Sequence, residues 1–187
     1  MTDLALGVRR AALGVRVLAV VLGAVLVALA AQVSIPLPGT PVPMTLQPMA
    51  VLLVGGLLGA RLGALSMILY LAMGAAGLPV FTPTVPLIGV ARLLGPTGGY
   101  LLAYPAAAWA VGAIVAEGRS VWRAACGVVA GLVLIHLGGL AQLAILTGSL
   151  SAAARFGTWP FLLGDLLKLA VLVPLLTTLT PTIRARL

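Results

Sequence analysis

Residues 160–176 read Pro160-Phe161-Leu162-Leu163-Gly164-Asp165-Leu166-Leu167-Lys168-Leu169-Ala170-Val171-Leu172-Val173-Pro174-Leu175-Leu176. An apolar run of this length, interrupted by one carboxylate and one ammonium, predicts a membrane-crossing helix. Asp165 and Lys168 stand three residues apart and so share a helix face. Such charges are costly to bury in a membrane. They mark a substrate or ion site, or a protein contact. They also have a plainer reading, in which the two neutralise each other structurally.

The rest of the chain agrees with that environment. Its 187 residues are 62% hydrophobic and 7% charged, with a mean hydropathy of +1.24. Soluble domains carry roughly 25% charged residues. The apolar runs are continuous rather than alternating, which excludes a β-barrel. The expected fold is an all-α integral membrane protein, one domain over 1–187. It is a six-transmembrane-helix bundle with spans near 12–33, 47–59, 62–76, 97–116, 124–146 and 160–181. The basic-then-apolar N-terminus is read as a retained first helix, because the run from Val17 to Ile35 is long for a signal peptide. Cys126 is the single cysteine, so no intrachain disulfide forms.

Between the spans lie irregular stretches. Residues 34–47 hold Pro36, Pro38, Pro41 and Pro43 and no charge, which predicts a stiff non-helical segment. It is either a connector or a lid. Span two, opened by Pro48, is only about 18 Å long at the helical rise. A second irregular stretch runs from Gly77 to Leu94, and residues 147–159 are read as a third loop with Arg155. Pro105 is expected to kink span four, and Pro174 to interrupt span six.

The net charge of +8 does not indicate nucleic acid, because the basic residues flank apolar segments instead of forming a patch. With the N-terminus inside, Arg9, Arg10, Arg16, Arg61, Arg119, Arg123, Arg184 and Arg186 are cytoplasmic. Only Arg92 and Arg155 are outside. The positive-inside rule therefore places both termini in the cytoplasm and the three longer loops on the outer face. Asp165 then sits about 7.5 Å below that face.

The remaining inventory is short. No metal-ligand spacing and no phosphate-binding loop with its lysine is present. His136, in mid-span, reads first as a hydrogen bond across helices and second as a catalytic group; Gln142 reads as the former. The glycines of Gly95-Pro96-Thr97-Gly98-Gly99-Tyr100 let a backbone approach a ligand or another helix. Arg92 is either a solvated loop charge or a cation attracting an anionic solute. Span one carries Ala19/Gly23 and Ala24/Ala28 at four-residue spacing, suited to packing within the bundle or to a partner helix.

Four segments, Pro41-Val42-Pro43-Met44-Thr45-Leu46-Gln47, Gly77-Leu78-Pro79-Val80-Phe81, Gly95 to Tyr100 and Pro160 to Lys168, resemble in order the signature segments of the BioY family. These are the biotin-specific S components of energy-coupling-factor (ECF) transporters of the bacterial cytoplasmic membrane. The resemblance implies biotin bound near the outer surface beneath the first loop. It implies as partners a transmembrane coupling protein and two cytoplasmic ATPases, docked through small residues of the first helix: Ala24 and Ala28, or the competing frame Ala19 and Gly23. By position, Asp165 and Lys168 match the family's polar ligand residues, Thr45 and Gln47 the junction of lid and helix, and Thr97, Gly98 and Tyr100 the glycine-rich segment. The ureido N–H groups are placed at Asp165. Biotin is cargo here, and no cofactor is expected. Between Phe81 and Arg92 the chain is Thr/Pro-rich where many relatives are glycine-rich, so the resemblance gives Arg92 no specific assignment. Two other readings stand beside this one. They are an intramembrane enzyme acting on lipid through His136 and Asp165, and a structural subunit whose charge pair only joins helices.

Overall fold

The computed structural model describes residues 2–116 and 119–187, with side chains from Leu13 onward. Glu117 and Gly118, part of the expected polar turn, lie outside the described residues, as do the Arg9 and Arg10 side chains. The chain is mostly helical: α1 (Thr2–Gln32), α2 (Gln47–Leu58), α3 (Ala60–Ala75), α4 (Val90–Leu94), α5 (Gly98–Val115), α6 (Val121–Thr147), α7 (Leu150–Gly157) and α8 (Leu162–Arg184), with a 3-10 turn at Trp159–Phe161. Helical segments within α1, α5, α6 and the α7–α8 region are long and apolar enough to cross a membrane, and α2 and α3 are shorter apolar helices.

Glycine sets how closely the helices approach. Gly59 at φ +85° makes the turn from α2 to α3, a conformation side chains rarely adopt. A Cβ on Gly63 would stand 2.7 Å from Gly55 Cα, and one on Gly55 would collide with the Ala108 backbone. The α2, α3 and α5 backbones therefore touch. At the other end, the α5 and α6 backbones meet at Gly99 and Gly138, where a Cβ on either would strike the opposite carbonyl. This decides one open point of the sequence. Of the glycines in 95–100, Gly99 serves the approach of another helix.

Two expectations change. Residues 147–159 are not a simple loop, because Ser149 caps α7 by accepting from the Ala152 amide. Its signal was Ser149 ahead of three alanines, a cap followed by strong helix formers. Pro174 does not interrupt α8, which runs on through it and through Pro181. The surrounding bundle tolerates the lost backbone bond.

The small residues of α1 divide. Gly23 and Ala24 are buried inside the bundle. A Cβ at Gly23 would lie 2.6 Å from Ser66 Oγ and 2.9 Å from Val54 Cγ1. These two positions pack α1 onto α2 and α3, the internal role that the spacing allows. Ala19 and Ala28 remain half-buried.

The proline-rich first loop is closed at its base by a two-residue antiparallel pairing, Ser34 with Thr45 and Ile35 with Met44. Its prolines leave few amide donors to extend that ladder. The loop, the segment 77–89, and α7 with its following turn gather at one end of the bundle, beside a cavity. At the other end Arg184 donates to the carbonyls of Gly56 and Gly112.

Candidate functional site

The cavity is walled by α2, α5, α6 and α8 and roofed by Val42, Pro43 and Thr45 of the first loop. Of the residues expected from sequence, Thr45, Gln47, Arg92, Thr97, Tyr100, Asp165 and Lys168 all line it. Gly98 does not. Its missing Cβ makes room for the Leu93 carbonyl and the Gln142 side chain. Gln142 bonds across helices as expected, donating to the carbonyls of Leu93 at 3.0 Å and Gly95 at 2.7 Å.

Asp165 and Lys168 lie on the buried face of α8, each 8% exposed. Lys168 Nζ donates to Asp165 Oδ1 at 2.7 Å. The second oxygen, Oδ2, is held by His136 Nε2 of α6 at 2.6 Å. The sequence reading gave His136 a hydrogen bond across helices, as found here, but left it out of the biotin-site residues. The available signal was that two costly polar groups in the same small membrane core tend to meet. The pair is therefore both self-neutralising and part of a cavity wall.

Arg92 is 1% exposed, so the solvated-charge reading is corrected. Its Nη1 donates to the Val85 carbonyl at 2.8 Å. This bond holds the Thr/Pro-rich segment over the cavity. Desolvation lowers the pKa of Arg92 from its ordinary value, yet a guanidinium stays charged at neutral pH. Arg92 Nε and Thr97 Oγ1 are buried and have no hydrogen-bond partner among the described residues. Buried polar atoms seldom stay unpaired. These two belong to residues that line the cavity.

Gln47, at the start of α2, ties the covering loops together. Its Nε2 donates to Tyr70 Oη at 2.5 Å, its Oε1 accepts from Thr45 Oγ1 at 3.2 Å, and Tyr70 in turn donates to the Val80 carbonyl at 3.2 Å. Tyr100 forms a wall because residue 139 is glycine; a Cβ there would overlap its ring. Tyr100 Oη then donates to the Gly157 carbonyl at 2.7 Å, next to the end of α7. Apolar wall comes from Leu101, Leu132, Ile135 and Phe161.

The cavity thus joins a buried carboxylate–ammonium pair, a buried guanidinium and apolar walls under a loop roof. A covered cavity of this kind in a helical membrane protein suits the binding of a small solute, as in membrane transport proteins. The chain belongs to the BioY family, whose sequence model matches residues 4–185. It is 39% identical over 148 residues to a Pyrococcus horikoshii protein named "Probable biotin transporter BioY", covering 79% of this chain and 85% of that one. It is 39% identical over 147 residues to the "Biotin transporter BioY" of Thermotoga maritima, covering 78% and 84%. In fold it is similar to a solved "S-component for biotin from an ECF-type ABC transporter", with a TM-score of 0.78, 24% identity, and 88% and 89% of the two chains covered.

Proposed function

We propose that this chain binds biotin in the covered cavity and takes it across the cytoplasmic membrane as the S component of an ECF-type transporter. The observation that carries this reading is the donor and acceptor set of the cavity. Biotin has ureido N–H donors, a ureido carbonyl, an apolar bicyclic ring and tail, and a carboxylate. Asp165 suits the N–H groups, and Lys168 has N–H donors beyond the one given to Asp165. Arg92 and Thr97 bring the buried, unpartnered Nε and Oγ1. A guanidinium and a hydroxyl suit a carboxylate. Leu101, Leu132, Ile135 and Phe161 suit the rings and tail.

The arginine distribution supports a chain with both termini in the cytoplasm and the loop roof outside. Biotin then enters from the outer face. The partners in this reading are a transmembrane coupling protein and two cytoplasmic ATPases. The small-residue frames of α1, Ala24/Ala28 or Ala19/Gly23, form the docking surface in this reading.

The experiment is equilibrium binding of labelled biotin to detergent-purified protein. Saturable, tight binding without turnover supports the reading, and its absence in intact protein overturns it. The enzyme alternative gains one observation, the contact of His136 with Asp165. Lys168 occupies the other carboxylate oxygen, so the aspartate is held as a paired acceptor, and the family is one of transporters.

A further inference from the structure

Asp165 is gripped from two helices. Lys168 reaches Oδ1 from one turn further along α8. It moves with Asp165 and cannot fix the carboxylate relative to the rest of the cavity. His136 reaches Oδ2 from α6. Among the described residues it is the group that ties this carboxylate to a different helix. An ionised carboxylate only accepts, so Nε2 carries the proton of this bond. The other ring nitrogen, Nδ1, is buried and has no partner among the described residues. The imidazole therefore directs its one hydrogen bond to Asp165.

The ring itself is braced. Tyr100 stands edge-on to it at a centroid distance of 6.4 Å and 79°, and Phe161 lies 6.5 Å away. Tyr100 is in turn held by the Gly157 carbonyl. All three side chains line the cavity together with Asp165. A ring braced in this way sets the rotamer and plane of the carboxylate it bonds.

We infer that His136 is a positioning residue for ligand binding. It acts through Asp165, fixing the carboxylate plane so that the lone pairs not used by His136 and Lys168 meet the N–H donors of the ligand. This rests on the reading of the cavity as a biotin site. It adds to that reading a residue that works at one remove from the ligand.

The test uses full-length detergent-purified protein and titration with labelled biotin. The variants are His136→Gln, His136→Asn, Asp165→Asn and the double His136→Asn/Asp165→Asn. The amide nitrogen of glutamine reaches the place of Nε2, while that of asparagine reaches only that of Nδ1. Both are polar, and because asparagine is also a methylene shorter, the Asp165→Asn background separates the lost bond from the lost volume. The expected result is that His136→Asn weakens binding about 10- to 100-fold, the worth of one bond to a charged group, while His136→Gln stays within about threefold of wild type. In the Asp165→Asn background the added effect of His136→Asn falls below about twofold, because the residue through which it acts has changed. Equal weakening by both amides, binding by His136→Asn like that of wild type, or an undiminished effect in the Asp165→Asn background overturns the inference. If wild type itself binds no biotin, the functional reading fails and this inference with it. If wild type binds and His136→Asn binds equally well, only the inference fails.

Discussion

Thr40 Oγ1 donates to the Phe156 carbonyl at 2.6 Å, and the residues lie 116 positions apart in sequence. The tip of the proline-rich loop is thereby fastened to α7. The same oxygen accepts from the Val42 amide at 3.1 Å, which shapes the loop before it crosses. Replacing Thr40 by valine removes both bonds and leaves the base pairing of the loop intact. Release of bound labelled biotin into excess unlabelled ligand should become about 3- to 10-fold faster, the effect of about one net hydrogen bond. Thr178→Val, whose hydroxyl bonds only within α8, should leave release unchanged.

The charge pair makes a prediction with two arms. Asp165→Asn leaves Lys168 buried without its counter-charge, and breaking a buried pair from one side costs about 3–5 kcal/mol. The melting temperature in detergent should fall clearly and biotin binding should weaken. Replacing both Asp165 and Lys168 by leucine removes both desolvation costs. That variant, in which only the His136 N–H loses its acceptor, should melt above Asp165→Asn and bind no biotin. Retained uptake by the double leucine variant would instead make the pair a helix clamp alone.

Arg92 holds the Val85 carbonyl and brings its charge to the cavity. Arg92→Gln can keep a donor for Val85 while losing the cation. It should weaken biotin binding by about tenfold or more, as expected for a charge-assisted bond. Its effect on the melting temperature should be small. A large fall in melting temperature with unchanged affinity would assign Arg92 to loop anchoring only. Calorimetric titration and thermal melting of the same sample separate these outcomes.

Gly139→Ala forces a Cβ into the Tyr100 ring. Overpacking of this kind costs about 1–3 kcal/mol, and here it also displaces a cavity wall. Both melting temperature and affinity should fall. Gly14→Ala, where the new methyl meets nothing within 4 Å, should change neither.

The orientation drawn from the arginines is open to chemical labelling. Cys126 is exposed and must first be replaced by alanine. A cysteine at Ile88, which is 78% exposed in the loop roof, should then react with a membrane-impermeant maleimide added to intact cells. A cysteine at Ala185, near the other end of the bundle, should react only after the cells are opened. The reverse pattern would invert the topology and the direction of transport.

Much of the architecture was legible because membrane helices announce themselves locally. A continuous apolar run needs no distant partner to satisfy its backbone. The positions of α2, α3, α5, α6 and α8 followed from such runs and from the Gly and Pro residues between them. The proline-rich loops were readable for the same reason, since proline acts on its own backbone. Residues 150–157 escaped because an eight-residue helix is too short to show periodicity, and its cap at Ser149 resembles ordinary loop composition.

The site was legible in part, and the misses share a cause. Asp165 and Lys168 were conspicuous as charges in an apolar run, and their spacing made them partners. Arg92 looked the same in sequence whether solvated or 1% exposed. Gly98 shares its motif with Tyr100, but two residues of helix, about half a turn, direct one toward Leu93 and Gln142 and the other into the cavity. Gly23 and Ala24 carry a small-residue spacing that fits internal and external contacts equally, and only the position of α3 shows the internal one.

The sequence by itself determined a helical membrane protein with stiff proline-rich loops, a charge asymmetry that predicts an orientation, and one ion pair placed where ions are costly. These depend on local chemistry: transfer of side chains into lipid, backbone restriction by proline, and helical spacing. Tertiary structure alone decided that His136 reaches Asp165 from another helix, that Arg92 turns inward, and that Thr40 closes onto α7. Each joins residues far apart in sequence at hydrogen-bonding distance. Such contacts depend on how helices cross, and glycines such as Gly99, Gly138 and Gly139 set that crossing only once their neighbours are in place.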